Sequence, residues 1–290
     1  MTEPHFKKIV IFGVGLIGGS FALALRKANA VQEVVGFGRS AASLKLAQQL
    51  NIIDRAGTDV ASEIANADLV LLATPVGQMA EIMQRIAPHL GVNTIVTDGG
   101  STKGDVVAYA RTHLGNKLAQ FVPAHPIAGA EKSGASAAQP DLYVGKKVVL
   151  TPLPENSVTA VASVRLAWEL CGANVSELSA AQHDEIFAAV SHLPHLLSFA
   201  LVHDIAQRKD KDLLLSFAAS GFRDFTRIAA SSPEMWRDIC MANREALMSE
   251  LQQYADELYG LFQALEQRDS AKLEEVFTEA RKVRSNWTPQ

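Results

Sequence analysis

Short apolar runs alternate with helical patterns through the first half of the chain. KKIVIFG (7–13), EVVGFG (33–38), DLVLLATP (68–75), NTIVTDG (93–99), QFVPAHP (120–126) and KKVVLTP (146–152) are rich in Val and Ile and end at Gly, Pro or Asp. Amphipathic segments such as SFALALRKA (20–28) and MAEIMQRIAPHL (79–90) lie between several of them. Near-continuous apolar strands separated by helices predict a parallel sheet covered on both faces. A further helix over 157–172 and a short run, NVSELS (174–179), complete this half.

From about Ser179 the strand pattern stops. Ile186, Val190, Leu193, Leu197 and Leu201 recur at intervals of three or four, a helical stripe in which Pro194 should kink or restart the helix. The segment 231–267 reads as a helix with Ser232 as N-cap and Pro233 in its first turn, and Ser270 is expected to cap a last helix. The pattern divides the chain into an α/β domain, residues 1–178, and an all-helical one, residues 179–290. The apolar stripes of the second domain either pair with another subunit or form an internal core.

Composition narrows the class. The 290 residues are 48% hydrophobic and 20% charged, a globular balance, and the net charge of −4 without a basic run argues against nucleic acid as a partner. Two cysteines give neither a disulfide framework nor a structural zinc site. The opening MTEPHFKK lacks the apolar core of a signal peptide, and no apolar run is expected to approach the ~18 residues of a membrane span. A cytoplasmic location follows as the expectation.

Gly13, Gly15 and Gly18 follow a strand and open a helix. This is the arrangement in which glycines allow a tight turn, close approach of a pyrophosphate and close helix packing, with the phosphates on the helix N-terminus. Leu16 and Ile17 within that turn, and Thr74 and Pro75 at the end of the third run, are expected to line the same ligand. A ribose-binding acid is expected about 20 residues beyond the turn. Gly38 stands there instead, followed by Arg39 and Ser40. Room, a planar cation and a hydroxyl suit a 2′-phosphate, so NADP is expected over NAD, with NAD as the alternative.

Three clusters offer chemistry. DGGST (98–102) and AHPIAGAEKSG (124–134) follow strands whose carboxyl ends should face a cofactor, and His125 is suited to act as a base near neutral pH. The helical half carries HD (183–184), SHLPH (191–195) and a cationic, aromatic group formed by Arg223, Arg227, Trp236 and Arg237 that suits a carboxylate substrate. His192 and His195 have no matching carboxylate or thiolate, so no metal site is expected.

GVGLIGGSFALAL, HPIAGAEKSG, SHLPHLLSFAL and GFRDFTRIAASSPEMWRDI resemble the prephenate/arogenate dehydrogenase (TyrA) family of tyrosine biosynthesis across most of the chain. The resemblance implies a Rossmann-type dinucleotide-binding domain followed by an all-α dimerisation domain, and a homodimer. It implies oxidative decarboxylation of prephenate or L-arogenate. It further implies His125 as catalytic base and Ser101 as the serine bonded to it and to the substrate hydroxyl. His195 and Arg227 would bind substrate, with Glu131, His183, Arg223 and Trp236 lining its pocket. The regulatory ACT domain or fused chorismate mutase of many members is not expected, so tyrosine feedback would act through the active site. Another Rossmann-plus-helical NADP enzyme, such as a β-hydroxyacid dehydrogenase, is the rival reading. Such enzymes rely on a Lys where this helical half offers His and Arg. A catalytically silent NADP-binding sensor would leave the HPIAGAEKSG and SHLPH clusters without purpose.

Overall fold

The computed structural model describes residues 4–129 and 134–288. Its centre is a six-stranded parallel sheet formed by β1 (Phe6–Phe12), β2 (Val31–Phe37), β3 (Arg55–Ala56), β4 (Leu69–Leu72), β5 (Ile95–Asp98) and β6 (Phe121–Val122), in the order β3-β2-β1-β4-β5-β6. The order reverses beside β1, which opens a crevice at the carboxyl ends of β1 and β4, the usual seat of a ligand in such sheets. β1 and β4 are almost wholly buried because helices cover both faces. One face packs Phe21 and Leu25 of α1 (Leu16–Lys27) against Val164 and Trp168 of α6 (Val158–Leu170). The other packs Met79 and Met83 of α4 (Met79–Ile86) and Val106 of α5 (Gly104–His113) against Val10, Val70 and Val96. Two short helices complete this half, α2 (Ala41–Gln49) and α3 (Val60–Ala65).

The run QFVPAHP is not one strand. Pro123 separates β6 from β7 (Ala124–Pro126), which leaves the main sheet and pairs antiparallel with β8 (Lys147–Leu150). β9 (Asn174–Glu177) then lies parallel to β8. Proline has no N–H to donate to a ladder, so the chain changes partners there. The consequence for function is that His125 stands in a second, three-stranded sheet turned against the first.

The remainder is helical. α7 (Ala180–Phe187) has a full capping box at Ser179 and Gln182. It runs through a π-helical turn, Ala188–His192, into α8 (Leu193–Ala206). Pro194 explains the widened turn, because its ring would clash with the carbonyl one turn back in a regular helix. The continuous 180–206 run is, by length and composition alone, long and apolar enough to cross a membrane, which corrects the sequence expectation. It nonetheless carries His183, Asp184 and His192, all buried within the protein. The short helices α9 (Lys211–Ser216) and α10 (Ser220–Thr226) follow.

The long segment after Ser232 divides into α11 (Pro233–Ala242) and α12 (Arg244–Glu266). Asn243 breaks it: its buried amide donates to the Asp184 carbonyl at 2.7 Å and meets Nδ1 of His192 at 3.1 Å. α13 (Ser270–Asn286) is capped by Asp269, which accepts from the Lys272 N–H, and not by Ser270. Of the apolar stripe on 186–201, Leu193 is buried while Ile186, Val190 and Leu201 are exposed, so within one chain the stripe is not an internal core.

Candidate active site

The glycine turn has the geometry of a phosphate cradle. Gly13 has φ of +94° and a Cβ there would lie 2.4 Å from the Ala73 carbonyl oxygen, so only glycine fits. At Gly18 a Cβ would meet the Gly13 carbonyl at 2.2 Å, which fixes the close approach of α1 to β1. Above Gly15 the space is open, and no side chain caps α1 and no acid lies in its first turn. The free N–H groups and dipole of that terminus favour an anion. Thr74, at the carboxyl end of β4 beside this turn, has a buried hydroxyl without a protein partner among the described residues. These residues fit a dinucleotide. At the end of β2, a Cβ on Gly38 would make only ordinary contact with Leu44 at 3.5 Å, so packing does not demand the glycine. Arg39 is exposed with no ion pair among the described residues, and Ser40 caps α2 by accepting from the Ser43 N–H.

The chemical centre lies next to it. Gly99 sits between Ile17 of α1 and Pro126 of β7, so the DGGST loop, the glycine turn and the His125 strand meet at one edge. A buried ion pair holds them. Asp98 accepts from the Gly100 N–H at 2.8 Å, the Ala124 N–H at 3.0 Å and the Lys103 ammonium, which also donates to the Ala124 carbonyl at 2.8 Å. Both charged side chains are fully buried, so removing either partner would strand an uncompensated charge. The pair therefore fixes the loop carrying Ser101 relative to His125. The sequence pattern pointed to the DGGST loop but assigned no role to Asp98 or Lys103; an acid and a lysine five residues apart across a glycine-rich loop was the available signal.

His125 is half-buried, and its Nδ1 lies 2.8 Å from Nε2 of His183. His183 is fully buried, with its Nδ1 2.8 Å from Oδ1 of Asp184. Asp184 in turn accepts from the backbone N–H groups of Lys103 at 2.8 Å and Gly104 at 2.7 Å, and so caps α5 from the helical half. Burial holds the pKa of His125 well below the usual histidine value, helped by nearby His183 and Lys103. Burial likewise lowers His183. For Asp184, burial works upward, but the bonds from His183, Gly104 and Lys103 outweigh it and keep the carboxyl below its ordinary range. The site thus holds a neutral imidazole backed by an anion.

The His183 ring is fully buried with both nitrogens engaged, one of them by His125. Through Nδ1, the side-chain partner of His125 among the described residues is His183. Glu131 lies outside the described residues.

In the helical half, Nδ1 of His195 bonds the Ser191 carbonyl at 2.9 Å, which leaves Nε2 as an acceptor. Burial lowers the pKa of His195, and Arg227 nearby lowers it further. Trp236 is buried and stacks on this ring. Arg227 and Arg223 share a surface depression with Phe222, Thr226 and Ala230. Arg223 is largely exposed, and Arg237 is exposed and paired with Asp238 at 2.6 Å. His192 is fully buried and its pKa is pushed down to about 4, chiefly by burial. Among the described residues no group of three or more His, Cys, Asp or Glu could hold a metal.

A phosphate cradle at a switch point, a neutral, half-buried base beside it and a helical domain closing over the edge define a two-domain, nucleotide-binding dehydrogenase. Comparison with known proteins makes the class specific. A family model for the prephenate dehydrogenase nucleotide-binding domain matches residues 21–177, and one for the prephenate dehydrogenase dimerization domain matches residues 179–279. The chain belongs to the prephenate dehydrogenase family.

It is 34% identical to a cyclohexadienyl dehydrogenase of Zymomonas mobilis over 96% of this chain and 95% of that one. The structure of prephenate dehydrogenase from Aquifex aeolicus in complex with hydroxyphenyl propionate and NAD+ superposes with a TM-score of 0.90 at 36% identity, covering 96% of this chain and 97% of that one. That of Synechocystis arogenate dehydrogenase superposes with a TM-score of 0.81 at 30% identity, covering 97% and 100%. These matches displace the β-hydroxyacid dehydrogenase reading.

Proposed function

We propose that this protein oxidatively decarboxylates a cyclohexadienyl acid, prephenate or L-arogenate, with NADP in preference to NAD. The observation that carries this reading is the neutral His125, held at the edge where the glycine turn and the DGGST loop meet. Gly13, Gly15, Leu16, Ile17, Gly18, Thr74 and Pro75 would hold the dinucleotide, whose nicotinamide supplies a two-electron hydride acceptor when bound. Gly38, Arg39 and Ser40 would receive its 2′-phosphate: the exposed Arg39, without an ion pair among the described residues, and a glycine where a ribose-binding acid would stand support that choice.

The protein's own part is to bind, orient and move one proton. His125 takes the proton of the ring C4 hydroxyl while hydride leaves C4. Loss of carbon dioxide from C1 makes the ring aromatic and the step effectively irreversible. Ser101, in the loop that the Asp98–Lys103 pair holds, would orient the hydroxyl. Arg227 and His195, with Trp236 behind His195 and Arg223 at the rim, would bind the substrate's carboxylate end. Glu131 keeps its assignment to the pocket from the family resemblance.

A homodimer through the helical domain belongs to the same reading. The exposed side chains of Val190, Phe217, Phe262 and Leu265 support it, as does the description of the matching domain as a dimerization domain. A cytoplasmic setting is consistent with two cysteines that remain free thiols. The decisive experiment is steady-state kinetics with both substrates and both cofactors, following absorbance of the reduced nicotinamide. No reduction in any of the four combinations would refute the proposal.

A further inference from the structure

Asp184 accepts two backbone N–H groups, from Lys103 and Gly104, and lies 2.8 Å from Nδ1 of His183. An ionised carboxylate can only accept, so Nδ1 of His183 carries a proton. A second proton on this fully buried ring would place a cation next to buried Lys103, and burial already disfavours it. The Nε2 of His183 is therefore a lone pair. The Nδ1 of His125, 2.8 Å away, must then be the donor in that contact. In a neutral imidazole only one nitrogen is protonated, so the lone pair of His125 is on Nε2.

We propose that His183 and Asp184 are positioning residues that hold His125 in its Nδ1–H tautomer, with Nε2 as the proton acceptor. Free histidine prefers the opposite tautomer, in which Nε2 carries the proton and cannot act as a base. The relay also serves the charged state. When Nε2 gains a proton, the positive charge on His125 is shared through the Nδ1–H bond toward an anion two groups away.

The setting depends on the two halves being packed together. His125 belongs to β7, while His183 and Asp184 belong to α7, and the Asp184 carboxylate caps α5 across the boundary. Separation of the halves would break the cap and release the tautomer in one movement. The base is thus set only in the assembled site.

The identity of the proton taken by His125 rests on the dehydrogenase reading; the tautomer does not. Long-range proton–nitrogen NMR correlations on histidine-labelled protein near neutral pH read it directly, with His125 assigned by its loss in His125→Asn. The expected wild-type pattern is a protonated Nδ1 and an unprotonated Nε2 on His125, reversing in His183→Phe. A wild-type His125 protonated at Nε2 overturns the proposal. In kinetics, His183→Phe keeps the ring's shape but cannot accept, and should lower kcat by about 10²-fold, the low end of what a positioned base contributes. KM should move by no more than about twofold, since the loss falls on the transition state.

His183→Gln offers Oε1 in place of Nε2 and should restore most of kcat. Equal losses in the Phe and Gln variants would reduce His183 to packing and overturn the proposal. An inactive wild type would instead remove the dehydrogenase reading, while the wild-type tautomer would still decide the positioning role. The same wild-type spectrum decides it if the Phe variant fails to fold.

Discussion

The imidazole of His195 lies flat on the indole of Trp236, with ring centroids 3.6 Å apart and 19° between the planes. A bond from Nδ1 to the Ser191 carbonyl fixes the ring's rotation, and the indole fixes its plane. Trp236→Ala should remove this support and open a cavity, costing roughly 3–5 kcal/mol of stability. Trp236→Phe keeps an aromatic face and removes an indole N–H that has no partner among the described residues, so it should be close to neutral. Chemical denaturation of the two variants checks this, and the Ala variant should also show a raised KM.

His125→Asn should lower kcat by about 10²–10⁴-fold with much less change in KM. The base works only when neutral, so the rate should fall as pH drops through its pKa. Burial places that pKa well below the usual histidine value, so the acid limb of the wild-type profile should lie on the acid side of 6.5. The limb should vanish in the variant. Arg227→Ala should act on KM instead. If His125→Asn keeps near-normal kcat and its acid limb, the base lies elsewhere.

Cofactor choice is expected to follow residues 38–40. Gly38→Asp with Arg39→Ala installs a ribose acceptor and deletes the cation, and the structure has room for the new Cβ. Loss of a bond to a charged phosphate, worth about 1.5–3 kcal/mol, should shift relative kcat/KM toward NAD by about 10- to 150-fold. A wild type that already uses NAD better than NADP would contradict this reading of the loop.

Acid should destabilise the fold. His125, His183, His192 and His195 all have lowered pKa values, so below 6.5 the unfolded chain binds more protons than the folded one. Stability should therefore fall as pH drops from about 6.5 toward the folded-state values. His192, held at about 4, contributes roughly 3 kcal/mol of this loss by itself. Melting temperatures across this range should decline, and His192→Gln should flatten the slope.

Sedimentation equilibrium should give twice the 31.2 kDa chain mass at micromolar concentration. Phe262→Glu places a charge on an apolar face of α12 that is exposed in the single chain, and should shift the equilibrium toward monomer. A monomeric wild type would reject the dimer.

Features governed by neighbours along the chain were legible in the amino-acid sequence. Valine-rich runs ending at Gly, Pro or Asp gave the strands, because burial on both faces of a sheet demands apolar residues at every position. Gly13 and Gly18 identified the turn because backbone sterics there exclude any Cβ. Ser232 and Pro233 located the start of α11 because capping is a property of a few consecutive residues. Contacts between partners distant in sequence emerged from the folded chain alone. His183, which the family resemblance assigns to the pocket, bonds His125, 58 positions away. Asp184 caps a helix whose first residues lie 81 and 80 positions before it, and Asn243 breaks a helix to reach His192 and the Asp184 carbonyl, 51 and 59 positions away. A buried polar group must find a partner wherever the fold brings one within about 3 Å, and spacing along the chain carries no record of which group that will be.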